Sequence, residues 1–306
     1  MIRNFFNRRS NSIKVVYSHD YFYSIDSGPL FDTMRFKKIR DNLIKMKLIH
    51  RKNVLIPEMV SYMDLELVHP REYLKIIRNP LQIADMLRLE NVDPFDTHIL
   101  EYFRIVTGGT LLATEYALTN QAVVFNLGGG FHHAHQEKGG GYCLINDIAV
   151  AIKKYCGHLR SLIIDLDYHQ GDGNLTIFMN TSEVFTFSMH ASHWVNAVKK
   201  ENRDIILPDK CGGEEYMRLL TGAVPGLLAS FRPEVVFFIA GSDPYIFDAL
   251  GDLNLTREDM SKRNMYVFSL IKENNLPAVI VAGGGYGERS WEVYYDFIKK
   301  ALNSGK

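Results

Sequence analysis

The sequence predicts a single α/β domain built on a central, mainly parallel β-sheet with helices on both faces. Short apolar, β-branched runs alternate with stretches of helical period through the second half of the chain. No linker, repeat or low-complexity tract divides residues 1–306. Each apolar run also ends in Gly, His, Asp or Tyr, as expected where ligands gather at the carboxyl edge of a parallel sheet.

The strands read as Ala122–Leu127, Ser161–Asp167, Val184–Met189, Val235–Ala240 and Ala278–Ala282. Between them, Asp147–Tyr155, Glu214–Phe231, Arg257–Glu273 and Arg289–Leu302 carry helical periodicity and read as crossovers. Residues 1–100 read as mainly helical, with Phe36–Leu48 and Pro70–Ile77 the clearest pieces, and are expected to form rim and cover.

Composition narrows the function classes. Of 306 residues, 46% are hydrophobic and 23% charged, enough apolar material for a sizeable core. Lys+Arg and Asp+Glu both number 35, so no global charge draws the chain to nucleic acid or a membrane surface. Three scattered cysteines, Cys143, Cys156 and Cys211, make neither a disulfide framework nor a CxxC knuckle, which fits a reducing compartment. No apolar run approaches the roughly 20 residues a bilayer span requires. The expected location is therefore the cytoplasm, with a nucleus or a host compartment reached by export as alternatives. Residues 1–18 are basic and lack acids, and read as a solvated terminus with a transit segment as the alternative.

The strand ends carry the chemistry. Residues Asp165, Asp167 and His169 are spaced by two, so extended backbone aims all three at one face. Asp167 and His169, joined by Asp243 from another strand end, make an open metal site with room for water and substrate. The oxygen and nitrogen donors suit Zn²⁺ and would also accept Fe²⁺ or Mn²⁺. Taken alone, Asp-x-Asp-x-His is commonly a hydrogen-bonded turn. Two carboxylates directly after an apolar strand reverse that reading, because burying them is costly unless they are paired or metal-bound. Adjacent His132 and His133 follow a glycine triplet and can divide base and acid roles. Tyr286, after another triplet, can donate its hydroxyl to a developing oxyanion.

The stretches GGGFHHAHQEKGGGYCLINDIAVAI, IIDLDYHQGDGN, AGSDPYIFDALGDLNLT and AGGGYGERSW resemble, in order, the motifs of histone deacetylases and acetylpolyamine amidohydrolases. The likeness covers roughly residues 120–300 and extends weakly through Val68-His69-Pro70-Arg71-Glu72-Tyr73-Leu74. It is most similar to the class IV branch and its bacterial relatives.

The resemblance implies an arginase-like α/β fold and zinc-dependent hydrolysis of N-acyl amides, most directly of acyl-lysine in proteins. It assigns zinc to Asp167, His169 and Asp243, and makes His132 and His133 the catalytic pair with Asp165 and Asp172 as partners. Tyr286 becomes the carbonyl-polarising group, and Gly141, Tyr142 and Trp194 the walls of a substrate channel. Potassium would engage Asp165, Asp167, His169 and Ser188.

The sequence departs from the family pattern at Gln170, where a histidine is common, at Ser242, and around Phe131 and His135. Ser27-Gly28-Pro29-Leu30-Phe31-Asp32, in a region that forms the channel rim in relatives, is poorly matched, which leaves substrate choice open. The alternatives are an acetylpolyamine or other small-molecule amidohydrolase, which needs acidic groups at the rim, and a silent acyl-lysine-binding scaffold. An arginase-like ureohydrolase would need a second metal site, for which only His190 and His193 are spare ligands.

Overall fold

The computed structural model describes residues 13–23, 32–90, 92–196 and 199–304; most of the poorly matched 27–32 stretch lies outside them. Eight strands form one sheet: β1 (Lys14–Val16), β2 (Val54–Leu55), β3 (Val123–Asn126), β4 (Ser161–Asp165), β5 (Val184–His190), β6 (Asn202–Ile206), β7 (Val235–Ile239) and β8 (Ala278–Val281). Their order is β2-β1-β3-β8-β7-β4-β5-β6, and every pairing is parallel. All carboxyl ends therefore share one edge, as the alternating pattern predicts.

The central strands β3, β4, β7 and β8 are buried along their whole length, which is why they read as continuous apolar runs. Short helices α2 (Tyr62–Leu65), α3 (Arg71–Ile76) and α4 (Pro80–Leu87) follow β2 and α7 (Asp172–Ile177) follows β4, while two groups of helices pack around the sheet. Helices α1 (Met34–Lys45), α8 (Gly213–Phe231), α9 (Arg257–Glu273) and α10 (Ser290–Asn303) contact one another in series. Helix α5 (His98–Asn120) packs against β1, β3 and β8 and against α6 (Asp147–Ala151), which continues as a π turn over Ile152–Cys156. No helix among the described residues is long and apolar enough to cross a membrane.

The amino-terminal region corrects two expectations. Residues 1–100 do more than cover the site, because β1 and β2 extend the sheet, and Val15 and Val16 are fully enclosed. The basic stretch read as a solvated terminus thus ends in a core strand, too short at three residues to show periodicity. Strand β6 escaped notice because an edge strand reading Asn-Arg-Asp-Ile-Ile is half exposed and polar, a common protection against edge pairing.

Helix α5 was also unforeseen. It is buried on most sides, so it lacks an amphipathic stripe, and Gly108-Gly109 in its middle reads as a breaker. The glycines serve close approach: a Cβ on Gly108 would lie 1.9 Å from the Glu58 carbonyl oxygen, and one on Gly109 1.7 Å from the Tyr21 hydroxyl. That hydroxyl donates to Asn126 Oδ1 at 2.8 Å at the end of β3.

Candidate active site

Asp165 closes β4 opposite Ser188 of β5 and Ile239 of β7, and the chain then turns through its own carboxylates. The Asp167 amide donates to Asp165 Oδ1 and the His169 amide to Asp167 Oδ1, each at 3.1 Å. From the neighbouring strand ends, the Gly284 amide donates to Asp167 Oδ2 at 2.7 Å, and Asp243 Oδ1 accepts from the Tyr168 amide at 2.9 Å. The ligand atoms of Asp167, His169 and Asp243 lie within 4.8 Å of one another. His169 Nδ1 sits 3.1 Å from Asp243 Oδ2 and 3.3 Å from Asp167 Oδ1.

These groups fit a divalent metal. Asp167 and Asp243 are almost completely enclosed, and burial together with the Asp167 charge pushes the Asp243 carboxyl up to about 7. Two enclosed carboxylates this close repel one another, a bound cation would relieve that repulsion, and the oxygen and imidazole donors match zinc's preferences. A residue that the sequence reading passed over holds the two ligand segments together. Arg263 of α9 is fully buried and donates to the Leu166 carbonyl at 2.8 Å and the Gly241 carbonyl at 2.6 Å, bridging the ends of β4 and β7.

Beside this cluster each of the paired histidines has its own carboxylate. His132 Nδ1 donates to Asp165 Oδ2 at 2.7 Å, and His133 Nδ1 to Asp172 Oδ1 at 2.6 Å, with ring centroids 4.0 Å apart. Their environments separate them electrostatically. Burial works against a charged His132, but Asp165 and Asp167 outweigh it and lift the ring to about 9. A divalent ion held by Asp167 would oppose that lift. Burial and the neighbouring His132 hold His133 down at about 4, against the pull of Asp172. His135 joins the network, its Nε2 reaching the other oxygen of Asp172 at 2.9 Å.

A mouth lined by Met86, Leu87, Arg88, Gly139–Gly141, Tyr142, Trp194, Leu250 and Tyr286 opens onto His133 and His169. Trp194 stacks on His133 with centroids 4.2 Å apart at 21°. Tyr142 faces Tyr286 at 5.7 Å, and Tyr286 stands edge-on to His169 at 6.5 Å. Gly141 has φ +53°, and a Cβ there would lie 2.3 Å from the His133 ring, so that wall must be bare. On the far side, a narrow cavity runs past His132 between Gly130, Gly141 and Gly284 to Arg35, Phe36, Tyr102 and Phe131.

The structure thus brings Asp165, Asp167, His169, Asp172, Asp243, His132, His133, Tyr286, Gly141, Tyr142 and Trp194 to one edge. Ser188 pairs with Asp165 in register, and its hydroxyl engages His190 Nδ1 at 2.8 Å. A second group capable of holding metal, His190, His193 and Asp204, shares no member with the first.

Other supporting residues were legible only in part. Asp147 and Asn146 lie inside a quoted motif, yet their roles are tertiary. The buried Asp147 carboxylate accepts from the Gly130 and Phe131 amides and from Thr110, shaping the turn before His132. Asn146 caps α6 and donates to the Ala134 carbonyl.

The parallel sheet with its converging strand ends defines the chain as an arginase-like α/β protein. A crystal structure of an HDAC homolog complexed with SAHA superposes with a TM-score of 0.78 at 24% identity, covering 95% of this chain and 88% of the other. That of an HDAC homolog from Aquifex aeolicus gives 0.77 at the same identity and coverage. The family model described as Histone deacetylase domain matches residues 30–301, and the chain belongs to that family.

An uncharacterised protein of Picosynechococcus is 31% identical over 285 residues, spanning 92% of this chain and 94% of its own. Histone deacetylase 2 of Arabidopsis thaliana is 29% identical, spanning 98% and 81%. Human Histone deacetylase 1 is 28% identical over 90% of this chain but only 62% of its own length. Membership makes this chain a hydrolase of the deacetylase class.

Proposed function

We propose that the chain removes acyl groups from lysine side chains. The observation that carries this reading is the pair of histidines, each on its own carboxylate, set beside the Asp167–His169–Asp243 cluster, with His133, His169 and Tyr286 lining one mouth.

Asp167, His169 and Asp243 would hold the ion, zinc by donor set, which when bound supplies Lewis-acid polarisation of the amide carbonyl and acidification of water. His133 is neutral near pH 7 and lines the mouth, so its Nε2 takes the water proton while Asp172 holds the tautomer through Nδ1. His132, held by Asp165 through Nδ1, stands behind and steadies the developing charge electrostatically. The Tyr286 hydroxyl donates to the carbonyl oxygen as it becomes an oxyanion. His133 then returns its proton to the departing amine, so the acid and the free lysine leave neutral in sum. Gly141, Tyr142 and Trp194 wrap the aliphatic stem, and the flat Trp194 ring covers one face of His133, leaving its Nε2 edge to the reacting water. Asp165, Asp167, His169 and Ser188 remain the candidates for a structural potassium ion, supported by the in-register pairing of Asp165 with Ser188.

The mouth favours acyl-lysine over acetylpolyamine. Among the described residues that line it there is no Asp or Glu, and the charged group at the rim is Arg88, which repels a polycation. The far cavity is narrow, which favours short acyl groups.

Metal-reconstituted protein offered lysine peptides carrying acetyl, octanoyl or myristoyl groups, together with acetylputrescine, tests the reading. Acetyl-lysine hydrolysis that vanishes in Asp167→Ala is expected. Preferred hydrolysis of acetylputrescine would overturn the substrate assignment, and no release from any of the four would overturn the reading as a whole.

A further inference from the structure

We propose that His190, His193 and Asp204 form a second divalent-cation site, of the kind that takes Zn²⁺, Co²⁺ or Ni²⁺, which braces the segment carrying Trp194. It lies beside the active site, shares no ligand with it, and is distinct from any potassium position because its donors are imidazoles.

The sheet register builds the site. In β5, Ser188 and His190 are two residues apart and so point to the same face, and Asp204 of β6 pairs in register with Ser188. Past the end of β5 the chain turns back and brings His193 onto His190, the rings nearly parallel at 10° with centroids 5.2 Å apart. The facing nitrogens, His190 Nε2 and His193 Nδ1, are 2.9 Å apart, and the carboxylate of Asp204 lies within 4.8 Å of both ligand positions. Neighbouring ligands of a tetrahedral zinc-type ion stand about 3.3 Å apart, given bond lengths near 2.0–2.1 Å. Seating an ion therefore replaces the hydrogen bond between the imidazoles, opens that pair by a few tenths of an ångström and draws the Asp204 carboxylate in from within 4.8 Å.

The outer atoms are already oriented as such an ion requires. His190 Nδ1 is held by the Ser188 hydroxyl at 2.8 Å and His193 Nε2 by Asn196 Oδ1 at 2.8 Å, leaving the inner nitrogens turned toward each other. Asp204 is partly buried, and its carboxylate accepts from the neutral side-chain amides of Gln170, at 2.8 Å, and Asn202. Among the described residues no lysine or arginine forms an ion pair with it. A cation would balance this charge, and His193, only partly covered, gives access from solvent.

Gln170 couples this site to the chemistry. It directly follows His169, is itself buried, and its Oε1 accepts from the Trp194 and Val195 amides at 2.9 and 2.8 Å. Its Nε2 donates to Asp204 and to the Val195 carbonyl. A cation on Asp204, His190 and His193 thus braces the chain on both sides of Trp194, directly at His193 before it and through the Asp204–Gln170 contact to Val195 after it, with Trp194 stacked on His133.

The test is a Co²⁺ titration of metal-depleted protein, counting bound metal by equilibrium dialysis and elemental analysis and following Trp fluorescence. Wild type should bind two equivalents, and Asp167→Ala should keep one, whose binding quenches Trp194. His193→Gln and Asp204→Asn should each bind a single equivalent, held by the Asp167–His169–Asp243 cluster, and Asp167→Ala combined with His193→Gln none. Circular dichroism checks that each variant folds, and the near-isosteric Asp204→Asn stands in if His193→Gln does not. The proposal is overturned if Asp167→Ala binds no Co²⁺, or if its equivalent survives both second-site substitutions. Loss of deacylase activity alone would bear on the catalytic reading and leave these stoichiometries untouched.

Discussion

Buried His69 makes stability depend on pH in a window that the structure sets. Its Nδ1 donates to the Gln136 carbonyl at 2.9 Å, and its Nε2 accepts from the Asn146 amide at 3.1 Å, tying the segment before the Gly139–Gly141 wall to the cap of α6. Burial pushes the ring down to about 4, against the backbone carbonyls that favour the charged form. The unfolded chain therefore binds the proton more readily, so stability is fully present above pH ~6.5 and drains away as pH falls toward 4. The whole effect is about 3 kcal/mol, and about 2.5 kcal/mol falls between pH 7.5 and 4.5 by proton linkage. Urea unfolding of wild type and His69→Gln at both pH values isolates it, because other titrating groups are common to both. Wild type should lose about 2.5 kcal/mol more than the variant over that interval. Equal losses would refute a neutral, buried His69.

Three further outcomes follow from named contacts. Arg263→Leu strands two buried carbonyls at about 1–3 kcal/mol each, and should lower both the urea midpoint and metal affinity. Unchanged metal affinity would separate Arg263 from the ligand segments. Asp172→Asn should reduce kcat by ~10–100-fold while bound metal, measured by elemental analysis, stays the same. Metal loss would contradict its placement on His133. Gly109→Ala drives a Cβ into the Tyr21 hydroxyl and should cost about 1–3 kcal/mol, whereas exposed Gly222→Ala in α8, with open space around it, should stabilise by about 0.5–1 kcal/mol. Equal melting shifts for the two would refute the close-approach argument.

What was legible in the chain was whatever depends on neighbours in sequence. Buried parallel strands show as apolar runs, so β3, β4, β7, β8 and the mostly buried β5 could be read directly, and helix α9 begins and ends where its periodicity places it. Asp165, Asp167 and His169 do meet at one site, but β4 ends at Asp165, so a bend rather than the two-residue period of extended chain brings the latter two there. Gln170 was visible only as a departure from the family pattern. Its clamp on Trp194, Val195 and Asp204 depends on a strand pairing that no local pattern encodes.

By itself, then, the sequence determined the parallel α/β class and the chemical character of the edge where the strands end, because periodicity and side-chain chemistry are local properties. Only the tertiary structure decided that Lys14–Val16 is core, that Arg263 joins the two ligand segments, that His132 pairs with Asp165 while His133 pairs with Asp172, and that Asp204 meets His190 and His193. These are contacts between residues far apart in the chain. They exist because an enclosed polar group is costly to leave without a partner, and which partner is within reach is settled by strand order and register.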